Sequence, residues 1–271
     1  MTSHVITGLE ARLALAEAAG QEAGSVALDY FRRRETLVIE TKRDLQDVVS
    51  IADREVETLI RSRIEAAFPD DGVLGEEYGL TEGSSGFTWV IDPIDGTSPF
   101  VNGMPTWCVS IGVLHQSEPV IGVISAPCQE ELFSAARGLG AHLNGKTLTL
   151  DSTRTIQNAV TGIGANNYVS PAMVAKMVED LLERGGNFIR NGSGALMLAY
   201  VAAGRLVGYY EPYMHAWDCL AGYCLVTEAG GWHLPFPTDG DQLTRGAPVL
   251  AAAPGAIEDL KAVAGVTSLV A

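Results

Sequence analysis

Over residues 7–34 polar side chains return at Glu10, Glu17, Gln21, Ser25, Asp29 and Arg32, near one face at helical spacing, and this predicts a long first helix. The stretch "VVSIADREVETLIRSRIEAAFP" predicts a second, with Val56, Ile60, Ile64 and Ala67 as its apolar stripe and Pro69 as its stop. A short strand over residues 72–74 then leads into the acidic loop "GEEYG". The period now changes to that of strands. "FTWVID" predicts one, and "WCVSIGVLHQSEPVIGVISAP" predicts two joined by a turn over residues 116–119. "ELFSAARGLGAHLNGKTLTL" predicts another strand and a Gly-rich connection, with Asn144-Gly145 as a hairpin turn. Residues 1–150 therefore read as an α+β part, helices packed on a largely antiparallel sheet.

After Asp151 the texture alternates. "NAVTGIGA" predicts a strand, residues 171–184 a helix ending at Gly185, and "NFIR" a strand. Ser193 is placed to N-cap the helix "GALMLAYVAAG". "RLVGYYE" predicts a strand, and residues 217–229 a helix closed by Gly230-Gly231. Such alternation favours βαβ units, so residues 151–271 are expected to form an α/β part around a second, partly parallel sheet. The division near residue 150 is a change of layer style rather than a flexible hinge.

Composition narrows the functional classes. The chain has 271 residues, 47% hydrophobic and 19% charged, enough to bury a sizeable core. Its formal net charge is −15 and no segment concentrates Lys or Arg, so nucleic-acid binding through phosphates is not expected. The N-terminal stretch lacks a basic leader, and no run reaches 18 uninterrupted apolar residues, so neither a signal peptide nor a membrane span is expected. Cys108, Cys128, Cys219 and Cys224 sit in apolar runs without CxxC spacing, which fits buried free thiols in a reducing cytoplasm.

The candidate chemistry centres on "WVIDPIDGTSPFVNGMP". Pro93 fixes its own φ and biases Asp92 toward extended geometry, so Asp92 and Asp95 can face one cavity from successive bends. Ile94 leaves a carbonyl between them, and Gly96 allows close backbone approach. Thr97, Ser98 and Pro99 read as a helix start, whose amides suit an anion. Two carboxylates and a carbonyl suit a hard divalent cation such as Mg²⁺, which shares its coordination with waters and phosphate oxygens. Taken singly, this motif is an Asp-Pro turn, "GEEYG" an ordinary acidic loop, Asp218 a helix-start acid, and Asp47 and Asp53 caps for the second helix.

The combination is more specific than its parts. Glu76-Glu77, then Asp92-Pro-Ile-Asp95-Gly-Thr97, then Trp217-Asp218 followed by Glu228-Ala-Gly-Gly, with Lys42 five residues before Asp47, resembles the inositol monophosphatase family over about residues 8–255. The resemblance implies an α+β fold, a layered α-β-α-β-α sandwich of the inositol monophosphatase/fructose-1,6-bisphosphatase type. It implies Mg²⁺-dependent hydrolysis of a small phosphate monoester, with two to three ions per site, Mn²⁺ as a substitute, lithium sensitivity and a homodimer. Glu76, Asp92 and the Ile94 carbonyl would hold one ion, and Asp92, Asp95 and Asp218 a second, with Glu76 also serving a third. Thr97, hydrogen-bonded to Asp53, would orient the attacking water. The amides of Gly96 and Thr97 would hold phosphate oxygens, and Glu211 would meet substrate hydroxyls. Glu77, Asp47 and Lys42 would support this set from behind.

Several positions depart from the family pattern. Pro99 cannot donate an amide, Ala165 stands where inositol-specific members carry Ser, and Gly194 stands where Ala is usual. They bear on substrate rather than on metal. Polyol, sugar or histidinol monophosphates therefore rank above fructose 1,6-bisphosphate, NADP or adenosine 3′,5′-bisphosphate, for which no basic pair is evident. A binding protein without catalysis on the same scaffold is the remaining alternative. His215 is either a substrate contact or a packing partner of Trp217.

Overall fold

The structure is a computed structural model and describes residues 6–36, 39–41 and 48–266. In chain order its elements begin with α1 (Leu9–Arg32), a small hairpin of β1 (Ile39–Thr41) and β2 (Val48–Ser50), and α2 (Ile51–Ala67). There follow β3 (Gly72–Gly75), β4 (Gly79–Thr81), β5 (Phe87–Asp95), α3 (Thr97–Val101), β6 (Cys108–His115), β7 (Glu118–Ala126), β8 (Glu131–Ala136), β9 (Gly140–Leu143) and β10 (Lys146–Leu148). The remainder comprises β11 (Val160–Ile163), α4 (Pro171–Glu183), β12 (Asn187–Ile189), α5 (Gly194–Ala202), β13 (Gly208–Met214), α6 (Ala216–Glu228), β14 (Trp232–His233), β15 (Ala247–Ala252) and α7 (Ile257–Val263).

Small residues bring α1 against the first sheet. Ala16, Ala19, Gly20, Ala23, Gly24 and Ala27 are its buried face, and a Cβ on Gly24 would lie 2.7 Å from Ser125 Oγ on β7. Val56, Ile60 and Ile64 bury α2 as expected, but Ala67 is exposed. Its expected place is taken by Phe68, which stacks on Trp89 at 6.2 Å, because the four-residue spacing of Val56, Ile60 and Ile64 continues to position 68. Arg12 is buried on α1, sandwiched between the Phe68 and Phe87 rings and paired with Asp71 through two 2.7 Å bonds.

Eight strands form the first sheet in the order β10-β9-β8-β7-β6-β5-β3-β4, antiparallel except for β3 beside β5. The second has the order β12-β11-β13-β15-β14; β11 runs parallel to both β12 and β13, whereas β15 is antiparallel to its neighbours. Helices α1 and α2 cover one face of the first sheet, α5 and α6 lie between the sheets, and α4 and α7 cover the far face of the second. The layering is thus α-β-α-β-α. The central pair is apolar nearly all round, as a helix pair buried on both sides must be: Leu196, Leu198, Leu220, Tyr223 and Leu225 are all at or below 1% exposure. Two expected boundaries shift. The Gly-rich connection after β8 contains the regular strand β9, and the strand expected from Arg205 begins at Gly208.

The decisive irregularity lies in β5. The strand does not end at Asp92 but runs through "DPID" to Asp95. Opposite β6, Asp92 pairs with Ser110 and Asp95 with Cys108, so three steps on β5 match two on β6. In a regular strand residues three apart face opposite sides. The one extra residue of this bulge returns Asp95 to the side of Asp92. Pro93, with no amide to give a ladder, is tolerated here.

Candidate active site

The bulge and the start of α6 meet. Asp92, Asp95 and Asp218 each offer a carboxylate oxygen, and these oxygens lie within 4.8 Å of one another. Each side chain is also held by protein donors. Asp92 Oδ1 accepts from the Ile94 amide at 3.0 Å. Asp95 Oδ2 accepts from Ser193 Oγ at 2.5 Å and the Ala195 amide at 2.7 Å, which ties it to the start of α5. Asp218 Oδ2 accepts from the His215 amide at 2.9 Å, so this residue caps α6 and joins the cluster at once. Ser110 Oγ donates to the Trp217 carbonyl at 3.0 Å and fixes the start of α6 against β6. Such donors orient ligand carboxylates before any ion arrives.

The electrostatics point the same way. Burial, followed by the charges of Glu76, Asp95 and Asp218, pushes Asp92 well above the usual carboxylate range. Asp218 is raised well above it by burial, Asp95 and Glu76. Asp95 is pushed up to about 6, burial outweighing the Ser193 and Ala195 bonds. Carboxylates gathered in low dielectric repel one another unless protons or cations neutralise them. The donors are all hard oxygens, so the residues fit a hard divalent cation rather than a soft metal.

Glu76, Asp95 and Asp218 open into a cavity of about 580 Å³, lined also by Ser98, Gly194 and Glu211. Gly96, at φ 96°, turns the chain from β5 into α3; a Cβ there would stand 3.0 Å from the Thr106 carbonyl, so only glycine fits. The Thr97 hydroxyl donates to the Ile94 carbonyl at 3.2 Å. The turn at Gly96 folds residue 97 back over the carbonyl three residues earlier. Asp53 is buried in the first turn of α2 at 1% exposure. Glu77 is half-buried beside Glu76. Lys42 and Asp47 lie outside the described residues.

At the far side of the cavity Glu211 is buried, accepting from the Tyr209 hydroxyl and from Asn166 Nδ2 at 3.0 Å. Burial pushes it up to about 7, against the opposing pull of these two bonds and of Arg190. A Cβ on Gly194 would fall 2.3 Å from Met214 Cε, so Met214 occupies the space that the glycine leaves. Ala165 lines the cavity and its carbonyl accepts from Arg190 Nη2 at 2.9 Å. Arg190 is the one Arg or Lys among the described lining residues. His215 stacks on Trp217 at 4.6 Å, the packing role expected of it, and also lines the cavity.

Tyr209, Asn166, Arg190 and the Ser193 link to Asp95 were not singled out in the sequence. "GANNY" and "IRNGS" carry polar residues just past predicted strands, which was the available signal. The cysteines offer no nucleophile. Cys108, Cys219 and Cys224 are buried and their thiols are pushed up by that burial. Cys128 is only half-buried, because it lies just past the end of β7. Among the described residues no helix is long and apolar enough to cross a membrane.

The family model described as "Inositol monophosphatase family" matches residues 9–265. The Nus factor SuhB of Haemophilus influenzae is 37% identical over 252 residues, covering 92% of this chain and 93% of that protein. The inositol-1-monophosphatase of Rhizobium meliloti is 38% identical over 203 residues, 74% of this chain and 76% of its own. The crystal structure of the extragenic suppressor protein suhB from Bartonella henselae superposes with a TM-score of 0.86 at 30% identity, over 96% of this chain and 100% of that one. A sequence match from α1 to the turn after α7, and a shared layering throughout, place the chain in the inositol monophosphatase family.

Proposed function

We propose that the protein hydrolyses a small phosphate monoester with the help of Mg²⁺, the alcohol being a polyol or sugar-like group. The observation that carries this reading is the convergence of Asp92, Asp95 and Asp218 at the mouth of a cavity whose far wall holds the buried acceptor Glu211. In this reading Glu76, Asp92, Asp95, Asp218 and the Ile94 carbonyl hold the ions. Bound divalent cations would supply Lewis-acid stabilisation of charge on the phosphoryl oxygens and acidify the attacking water.

The chain's own groups do the rest. The amides of Gly96 and Thr97 orient the phosphate. Thr97, having given its hydrogen to Ile94, keeps oxygen lone pairs with which to accept from a water and aim it. Glu211 accepts from substrate hydroxyls, and with Arg190 as the one Arg or Lys among the described lining residues a second phosphate would find little charge to meet it. Lithium inhibition, a homodimer and a cytoplasmic location belong to the same reading through the family. The test is phosphate release from inositol 1-phosphate, histidinol phosphate, fructose 1,6-bisphosphate and adenosine 3′,5′-bisphosphate, with Mg²⁺ and with EDTA. Fastest turnover of a monophosphate, abolished by chelation, is expected; activity indifferent to EDTA would exclude the reading.

A second role is favoured by the relatives named Nus factor, one of which covers nearly the whole chain. The acidic surface speaks against direct phosphate-backbone contact, so such a role would run through a protein partner. Capture of RNA polymerase by both the wild type and an Asp92→Asn variant would support it, and no capture by either would dismiss it.

A further inference from the structure

Glu76 stands at the tip of the β3–β4 hairpin, and little apolar packing holds that tip. Tyr78 is 53% exposed and Leu80 43%, and β4 lies at the edge of its sheet. Hydrogen bonds from α2 hold it instead. Glu57, with no exposed surface, accepts from the Glu77 amide at 2.8 Å through Oε2 and from the Tyr78 amide at 3.3 Å through Oε1. Arg61, one turn later, closes the arrangement from the other side. Its Nε donates to Glu57 Oε1 at 2.7 Å, its Nη2 to the Gly79 carbonyl at 2.5 Å and its Nη1 to Thr81 Oγ1 at 3.3 Å. The hairpin is shaped to admit this carboxylate: a Cβ on Gly75 would lie 1.9 Å from Glu57 Oε1. On the opposite side the Glu76 amide donates to the Ile91 carbonyl of β5 at 3.2 Å, one residue before Asp92.

We propose that the Glu57–Arg61 pair is a positioning device for Glu76, fixing the hairpin tip so that its carboxylate reaches the cluster of Asp92, Asp95 and Asp218. The inference rests on the reading of that cluster as a divalent-cation site. A buried carboxylate that merely filled space would be costly unless compensated. Here its two oxygens meet the successive amides of Glu77 and Tyr78 in the tip, and the guanidinium that neutralises it also grips the strand beyond. Freed from Glu57, the tip would lose the bonds that hold its Glu77 and Tyr78 amides, and Glu76 would spend more of its time away from the ion.

The experiment measures Mn²⁺ binding by calorimetry, Mg²⁺ dependence of phosphate release, and hydrogen exchange at the Glu77 and Tyr78 amides. It compares wild type, Glu57→Ala, Glu57→Gln and Arg63→Ala, the last removing an exposed ion pair between α2 and Glu22 of α1. Glu57→Ala is expected to weaken Mn²⁺ binding by about tenfold or more, the usual effect of losing a support behind a metal ligand. It should also raise the Mg²⁺ KM far more than it lowers kcat at saturation, and unprotect both amides. Glu57→Gln, whose carbonyl still accepts, should fall between, and Arg63→Ala should match the wild type. If Glu57→Ala fails to fold, Glu57→Gln and Arg61→Lys carry the same expectation at smaller size. A folded Glu57→Ala with wild-type Mn²⁺ affinity would overturn the inference alone. A wild type that binds no Mn²⁺ would remove the functional reading and this inference together.

Discussion

Asp92 concentrates the energetic conflict of the site in one side chain. It is 2% exposed, and three neighbouring carboxylates raise its pKa further after burial has done so. Its ionised form is an unwelcome charge in the ion-free protein and a useful one beside a cation. Asp92→Asn should therefore cut phosphate release by at least about a hundredfold while leaving the ion-free Tm at pH 8 equal to or above wild type. Calorimetric melting and a fixed-substrate assay check both halves. Glu211 poses a different question. Its pKa of about 7 means that its capacity to accept from hydroxyls grows as pH rises through neutrality. A fall in substrate KM over that interval is expected, and Glu211→Gln should abolish the inflection. An unchanged profile in Glu211→Gln would remove Glu211 from substrate recognition.

At the scale of elements, the bulge in β5 and the starts of α5 and α6 assemble the site, and each has its own local cause. Ser193 caps α5 by accepting from the Leu196 amide at 3.3 Å and donates to Asp95. Ser193→Ala should cost about 1–2 kcal/mol of stability, a capping loss plus an unsatisfied carboxylate contact, and should also weaken Mn²⁺ binding. Chemical denaturation with and without Mn²⁺ separates the two effects. These elements were unequally legible. The motif residues Asp92, Asp95 and Asp218 stood out because their types and order are chemically unusual, and Ser193 because capping follows a short-range rule. The bulge was not legible, since its extra residue is defined only against β6. Glu57 was hidden for the same reason: on α2 it looks like any solvated acid, and only the hairpin brought over it makes it buried. β15 escaped because "APVLAA" is short and Ala-rich, weak in strand propensity, yet it sits between β13 and β14.

The whole molecule carries a formal charge of −15 and gathers part of it in one buried cluster. This links stability to pH and to metal. Asp95 and Glu211 are raised to about 6 and about 7 from ordinary values of 3.8 and 4.5, and Asp92 and Asp218 are raised well above theirs. A raised carboxylate binds its proton more tightly folded than unfolded, so its favourable contribution is complete below the unfolded value. It is lost as pH rises toward the folded one. The ion-free protein should thus lose stability from about pH 4 to above 7, seen as a falling Tm. Mg²⁺ at a hundred times its Kd should restore about 2.7 kcal/mol at pH 8 and much less at pH 5, where protons compete for the same oxygens. The most direct test of the central claim, that distant carboxylates converge to hold hard cations, is an anomalous difference map from a crystal soaked in Mn²⁺. The account predicts a peak bounded by Asp92, Asp95 and Asp218, with Glu76 reaching it from the hairpin; a map with no peak among these side chains would contradict it.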